Sequence, residues 1–192
     1  MAPTLNTARL TLRSIRRADG PRIQLVFPRI EITEYLNASI PWPYPPGGAE
    51  QFLDFILPQI ESGSRFVWAI TLRDVSDDLL IGLIDLDVHG TFHRGFWLMP
   101  EHHQKGYMTE AVTAVNDFAF DVLKMPLMRL GNAVPNLGSR RIKEKSGAVL
   151  VDVIPDVPFV SGVFPEEVWE LTAEAWRENR ADFLASAIRL RK

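Results

Sequence analysis

The stretch His103-Gln104-Lys105-Gly106-Tyr107-Met108-Thr109 runs into a segment that must be helical, and this placement gives it chemical interest. Backbone N–H groups in the first turn of a helix lack helical acceptors and lie at the positive end of the dipole, so they suit a pyrophosphate. Gly106 has no side chain to stand between such donors and a ligand, and Lys105 adds a positive charge. Taken alone, one glycine before a helix is more often a plain helix start. A second group stands downstream, with Asn136 in a loop, Ser139 at the next helix start and Gly147 at its end.

Candidates for proton transfer lie upstream. Along Leu79 to Val88, the residues Leu83, Asp85, Asp87 and His89 share one side of a strand, opposite Ile84, Leu86 and Val88. Asp85 and Asp87 are candidates to attract a cationic amine and accept its proton through water, with a solvated sheet edge as the plain alternative. His93 and His89 have a naturally suitable pKa, although a lone histidine beside a turn is more often surface. Trp42, Tyr44 and Trp68 either line an acceptor pocket or seal a core. Glu110, in the first turn of its helix, reads as a partner of the dipole rather than a catalyst.

Together the two spaced groups resemble the GNAT superfamily of acyl-coenzyme A N-acyltransferases. Its pyrophosphate loop reads Gln/Arg-x-x-Gly-x-Gly/Ala, and its later segment reads Asn-x-x-Ser followed by Glu-Lys-x-Gly-Phe. The resemblance extends through Ala8 to Arg13, the Pro41 to Pro46 loop, Phe96 to Pro100 and Lys105 to Ala111, and is similar to the branch containing the ribosomal-protein N-terminal acetyltransferases. Three positions depart from the pattern: His103 for Gln or Arg, Met108 for Gly or Ala, and Ala148 for Phe. The backbone donors survive the first two changes.

The resemblance implies acetyl-coenzyme A in a V-shaped opening between Gly95 to Leu98 and Leu127 to Val134, with the pantetheine pairing like an extra strand. It implies cofactor contacts from His103 to Thr109, including Gln104, Lys105, Gly106, Tyr107 and Met108, and from Asn136 and Ser139. The main chain near Leu98 or Met99 would polarise the thioester carbonyl. Arg140, Arg141, Lys143 and Lys145 place four cations in six residues, either near the adenosine phosphates, with Arg141 foremost, or on a solvated helix face.

A neutral amine is required for attack on a thioester, so a lysine-like acceptor near ~10.4 needs more help than an N-terminal amine near ~8. Many relatives protonate the leaving thiolate with a tyrosine after the second motif. Here the tyrosines are Tyr35, Tyr44 and Tyr107, so none follows it. A thiolate near ~8.5 leaves without full protonation, and Ser146 or Ser161 are substitutes.

The elements that position these residues follow from periodicity. Arg9 to Ile15 alternates as a strand, Pro21 to Leu36 has helical spacing broken at Pro28, and Ile40 to Gly48 is a proline-stiffened loop before a helix from Ala49 to Glu61. Phe66 to Arg73, Leu79 to Val88 and Phe92 to Leu98 predict an antiparallel meander. Apolar residues at three and four residue steps predict a helix from Tyr107 to Leu123. Strand Leu127 to Val134, helix Ser139 to Ser146, and strands Val149 to Ile154 and Val168 to Thr172 complete the series. The segment Glu174 to Lys192 carries Trp176, Phe183, Leu184, Ile188 and Leu190 at helical spacing and either packs on its own domain or pairs subunits as a homodimer.

The expected architecture is therefore mixed α/β, one domain over residues 1–192 with a helical extension from 174, built on a mostly antiparallel sheet splayed in the middle with helices on both faces. The chain has 192 residues, 46% hydrophobic and 23% charged, enough for one sizeable core. Its formal net charge of −3 offers no general attraction to nucleic acid or anionic lipid. No apolar run is long enough to span a bilayer and none resembles a signal peptide, so a cytoplasmic setting without membrane or nucleic acid partners is expected. The absence of cysteine removes thiolate metal sites and the commonest acyl-enzyme nucleophile, and no metal is expected. The predicted function is N-acetyl transfer from acetyl-coenzyme A to a primary amine, of a protein N-terminus or a small molecule, by direct attack. The alternative is a non-catalytic acyl-coenzyme A sensor of the same fold, and a third reading is an interaction module using the aromatic loop.

Overall fold

The computed structural model describes residues 1–75 and 77–189. The short β1 (Leu5–Asn6) pairs with β2 (Leu10–Ser14), where Leu10 and Leu12 alternate inward as the sequence pattern requires. Next come α1 (Gly20–Val26) and α2 (Ile30–Thr33), separated at Pro28, which has no N–H to continue a helix. After the proline-rich loop, α3 (Gly48–Ser62) starts at Gly47 and stops at Gly63, both in the left-handed region that glycine tolerates.

Strands β3 (Arg65–Leu72), β4 (Leu80–Asp87) and β5 (Arg94–Leu98) form the expected meander and continue β1 and β2 into one antiparallel sheet, ordered β1-β2-β3-β4-β5. Helix α4 (Tyr107–Asp117) follows, and its predicted extension exists as a wider π turn over Phe118–Val122, closed by Leu123 N to Phe118 O at 3.0 Å. A second sheet, ordered β6-β8-β7, comprises β6 (Leu127–Ala133), β7 (Val149–Phe159) and β8 (Gly162–Thr172), with α5 (Leu137–Ser146) between β6 and β7.

The β7–β8 hairpin is longer than periodicity predicts. Pro155, Pro158 and Pro165 interrupt the alternation, and register jumps near Leu150/Asp152 and Ile154/Val157 absorb the irregularity. The hairpin's far end is tied to the segment after α2, since Val160 N donates to Leu36 O at 3.0 Å and Ser161 N to Glu34 O at 3.1 Å.

Helices cover both faces. Phe27, at the end of α1, packs against Trp97 of β5 on one face. On the other, Phe66 and Trp68 of β3 meet Phe118 beyond α4, with centroids 5.1 and 5.6 Å apart. The final helix α6 (Ala173–Arg189) packs on its own chain, burying Trp176, Phe183 and Ala187. Asp117 at the end of α4 accepts from Trp176 Nε1 at 3.0 Å and from Arg180 Nε at 2.7 Å. Leu190, proposed from sequence for the same helix, lies outside the described residues, as does the side chain of Ile188. Among the described residues, no helix is long and apolar enough to cross a membrane.

Candidate active site

The two sheets touch at one point and then part. His93, just before β5, donates its backbone N–H to Arg129 O at 2.8 Å, and its ring Nδ1 accepts from Arg129 N at 2.8 Å. Beyond this joint β5 and β6 have separate sheet partners, which makes the V that the resemblance implied. The hydrogen-bonding edges within the V follow from register. Met99 N donates to Ile81 O at 2.9 Å and Leu98 stands opposite Gly82, so in the alternating antiparallel ladder residue 97 also bonds toward β4. The N–H groups of Phe96 and Leu98 therefore point into the opening. On the other wall, Val134 N donates to Pro165 O at 2.9 Å, which by the same alternation turns Gly131 and Ala133 toward the opening.

Of the two expected carbonyl-polarising donors, Leu98 has the required geometry and Met99 does not, because the Met99 N–H belongs to the sheet. The Leu98 carbonyl is also engaged: His103 Nε2 lies 2.8 Å from it and must donate, since a carbonyl can only accept. His103, which replaces the usual Gln or Arg, thus ties its loop to the end of β5.

Helix α4 begins at Gly106, whose φ of 76° is left-handed. Glu110 N is the first helical donor to find a helical acceptor, Gly106 O at 3.0 Å, so the N–H groups of Tyr107, Met108 and Thr109 have no helical acceptor. Glycine at 106 meets a packing constraint that the sequence does not suggest. A Cβ there would lie 2.4 Å from Ala187 O, so the close approach is made by α6 behind the loop.

The loop is clamped by Arg9, which the sequence pattern marked only as the start of the first strand and as part of the resembling stretch Ala8 to Arg13. Arg9 Nη1 donates to Lys105 O at 2.8 Å, Nε donates to Glu110 at 2.7 Å, and the guanidinium lies 4.5 Å from the centre of the Tyr107 ring. Glu110 also accepts from Arg9 N at 2.7 Å and Thr7 Oγ1 at 2.5 Å, so it is structural as expected. Burial would raise its carboxyl pKa, but the Thr7 and Arg9 hydrogen bonds outweigh this and hold it below the ordinary range.

The second group of residues divides between the cleft and the interior. Asn136, not Ser139, caps α5: its Oδ1 accepts from Ser139 N at 3.1 Å. Ser139 is buried at the cleft wall and accepts from Lys143 Nζ at 2.7 Å. Of the four cations, Arg141 and Lys145 line the cleft, Arg140 pairs with Glu144 and Glu167, and Lys143 is buried beneath the helix.

These walls enclose a cleft of about 640 Å³. Among the sequence-predicted cofactor residues, Leu98, His103, Gln104, Gly106, Tyr107, Met108, Thr109, Asn136, Ser139 and Arg141 line it, while Lys105 flanks it and Met99 does not line it. The predicted proton acceptors are elsewhere. Asp85 and Asp87 share a strand side as expected, but both face Arg65: Asp85 accepts from its Nε at 2.8 Å and from Gly95 N at 2.9 Å, and Asp87 lies 3.6 Å from Nη1. Burial nevertheless raises the Asp85 carboxyl, against the pull of Arg65. His93 cannot take a proton at Nδ1 without losing Arg129 N, because that atom is an acceptor in the joint of the V. Trp42, Tyr44 and Trp68 do not line the cleft either: Trp68 is fully buried and Tyr44 packs on Phe27 and over Gly48.

Further residues that line the cleft come from the broken helix after Pro28. Glu31, Glu34, Tyr35 and Leu36 line it, as does His102, whose imidazole pKa is lowered by burial and by the charge of Lys105. Periodicity could not reveal this role, because it depends on the hairpin that binds Glu34 O and Leu36 O from far along the chain.

The geometry has known counterparts. A family model described as an acetyltransferase (GNAT) domain matches residues 9–149. YoaA of Bacillus subtilis (strain 168), an uncharacterized N-acetyltransferase, is 32% identical over 158 residues, covering 77% of this chain and 83% of that protein. A shorter match, 43% identical over 77 residues, links 38% of this chain to 42% of YjcK, a probable N-acetyltransferase of the same organism. Among solved structures, Mycobacterium smegmatis RimJ in complex with CoA-disulfide shares the fold with a TM-score of 0.80 at 17% identity, over 97% of this chain and 95% of that one.

Proposed function

This chain belongs to the acetyltransferase (GNAT) domain family, and from that premise we propose that it moves an acetyl group from acetyl-coenzyme A to a primary amine by direct attack. The observation that carries the reading is the unpaired Leu98 N–H at the mouth of a V whose rim is the free N-terminus of α4.

In this reading the N–H groups of Tyr107 to Thr109 hold the pyrophosphate, with Arg141, Lys145 and Lys105 supplying positive charge around it. The free edge of β5 at Phe96 pairs with the pantetheine amides, and Asn136 Nδ2 and Ser139 border its path. Leu98 N–H donates to the thioester carbonyl oxygen as negative charge develops there. The amine nitrogen forms its bond to the carbonyl carbon, the carbon–sulfur bond breaks, and the surplus proton leaves the nitrogen through water.

The acceptor side supports a cationic amine, because Glu31 and Glu34 are the carboxylates that line the cleft. Their position replaces that of Asp85 and Asp87, which both pair with Arg65. The two carboxylates, or neutral His102, end the water path that accepts the proton. Tyr35 brings a phenol into the cleft and is the group we assign to the departing thiolate, although it precedes the motif after which relatives carry theirs. The acceptor is an N-terminal amine or a small-molecule amine. The whole chain is taken as one domain, acting in the cytoplasm, where acyl-coenzyme A donors are used, and pairing of two copies is compatible with the reading.

Calorimetric titration with acetyl-coenzyme A, followed by thiol release across a panel of polyamines, amino acids and short peptides, tests it. Binding with amine-dependent thiol release is the expected result. Binding without release from any amine would leave a sensor, and no binding would remove the acetyltransferase reading.

A further inference from the structure

Five elements that meet beneath the closed end of the V each send a buried polar side chain inward: Arg94 from β5, Asn116 from α4, Asn132 from β6, Lys143 from α5 and Glu167 from β8. Arg94 is 6% exposed, and its Nη1 donates to Asn116 Oδ1. Its Nε and Nη2, which lie side by side on the other edge of the guanidinium, meet no acceptor among the described residues, and neither does Asn116 Nδ2. Elsewhere in this chain the same edge holds a carboxylate. Arg180 grips Asp117 with Nε and Nη2 at 2.7 and 2.6 Å, and Arg65 turns the same pair on Asp85.

Arginine does not escape burial by losing its proton at ordinary pH, so a buried guanidinium edge calls for an anion or an equivalent acceptor. The neighbouring carboxylates are committed. Glu167 accepts from Asn132 and Trp169 and pairs with Arg140, and Asp85 belongs to Arg65. Glu166 is half-buried, and burial favours its neutral form. Lys143 adds a second buried amine, bonded to Ser139; burial and then the charge of Arg94 hold it well below the usual lysine range. Arg94 is thus the group at this point of the interior that stays charged while one edge of it lacks a counter-ion among the described residues.

We propose that the Nε/Nη2 edge of Arg94 seats a small monovalent anion of the halide class. Arg94 does not line the acyl-coenzyme A cleft, so the seat is separate from the donor site and a metabolite carboxylate lacks access through it. Enclosure rather than donor geometry selects the ion, because a small halide needs less room and a shorter path into the interior than an oxyanion does.

The inference does not depend on acyl transfer and is tested without substrate. Crystals of the full chain grown in sodium bromide should show an anomalous peak within hydrogen-bonding reach of Arg94 Nε and Nη2. In solution, replacing gluconate by bromide at constant ionic strength should raise the melting temperature saturably, on the order of 2–4 °C, and Arg94→Met should abolish the rise. An ordered water with no anomalous signal at that edge overturns the proposal, as does a saturable rise that persists in Arg94→Met. If the variant does not fold, the bromide map on the unaltered protein decides alone.

Discussion

His103 and Leu98 are joined across the loop that precedes α4, Nε2 to carbonyl oxygen at 2.8 Å, so the peptide unit that closes β5 is fixed while the Leu98 N–H points into the cleft. Donors that stabilise an oxyanion act best when they need no reorganisation, which gives this distal bond a catalytic consequence. His103→Ala should lower kcat/KM roughly tenfold, the equivalent of about 1.4 kcal/mol, while leaving the melting temperature nearly unchanged. His103→Gln, which can still donate, should recover most of the loss. Equal activity of His103→Ala and the parent enzyme would show that the loop holds itself.

The joint of the V rests on His93. Its ring accepts from Arg129 N, so His93→Phe removes one partner and leaves a main-chain donor between two sheets unsatisfied. Urea unfolding should show a loss of about 1–3 kcal/mol. If His93 were instead a base, the variant would lose turnover with its stability intact.

Gly106 and Lys105 are neighbours with separable roles. Gly106→Ala must place a Cβ 2.4 Å from Ala187 O at a left-handed φ, so it should loosen α6 and lower the melting temperature. Lys105→Glu reverses an exposed charge at the start of α4 and should weaken acetyl-coenzyme A binding by about tenfold in low salt, less at high ionic strength, with stability preserved. Calorimetry and thermal melting on the two variants should therefore give opposite patterns.

Acid should act through Glu110. Its carboxyl is depressed below 4.5 in the folded chain, so the stability it adds is fully present above that value and is lost as pH falls through the lower native value. Glu110→Gln should reduce the melting temperature at neutral pH and flatten its decline on the acid side. An unchanged acid limb would place that dependence on other carboxylates.

In the proposed reading Glu31 and Glu34 give the acceptor side its sign. The double substitution Glu31→Gln with Glu34→Gln should raise KM for polycationic amines by roughly tenfold while leaving the acetyl-coenzyme A affinity alone. An unchanged KM for every cationic amine tested would remove these carboxylates from acceptor recognition.

The parts legible in sequence are those set by local pattern. The amphipathic repeat from Tyr107 marked α4, the apolar runs of β3 to β5 marked the meander, and Gly106 lay at the start of the first helix that borders the cleft, whereas the second, placed by sequence from Ser139, begins at Leu137 behind its cap Asn136. Each follows from the periods 3.6 and 2 or from residues that satisfy orphan backbone groups, and none requires knowledge of what packs against it. What the sequence could not decide depends on partners distant in the chain. Strand parity placed Asp85 and Asp87 correctly on one side but could not reveal that Arg65, twenty residues away from Asp85, pairs with both. Glycine at 106 was visible, whereas the helix that demands it, at Ala187, was not. The cleft wall formed by Glu31, Glu34 and Tyr35 was likewise hidden, because these residues face the cleft only once the β7–β8 hairpin ties down the segment that follows α2. Periodicity is a property of neighbours along the chain, while charge compensation and cleft walls are properties of neighbours in space, and only the folded structure brings those together.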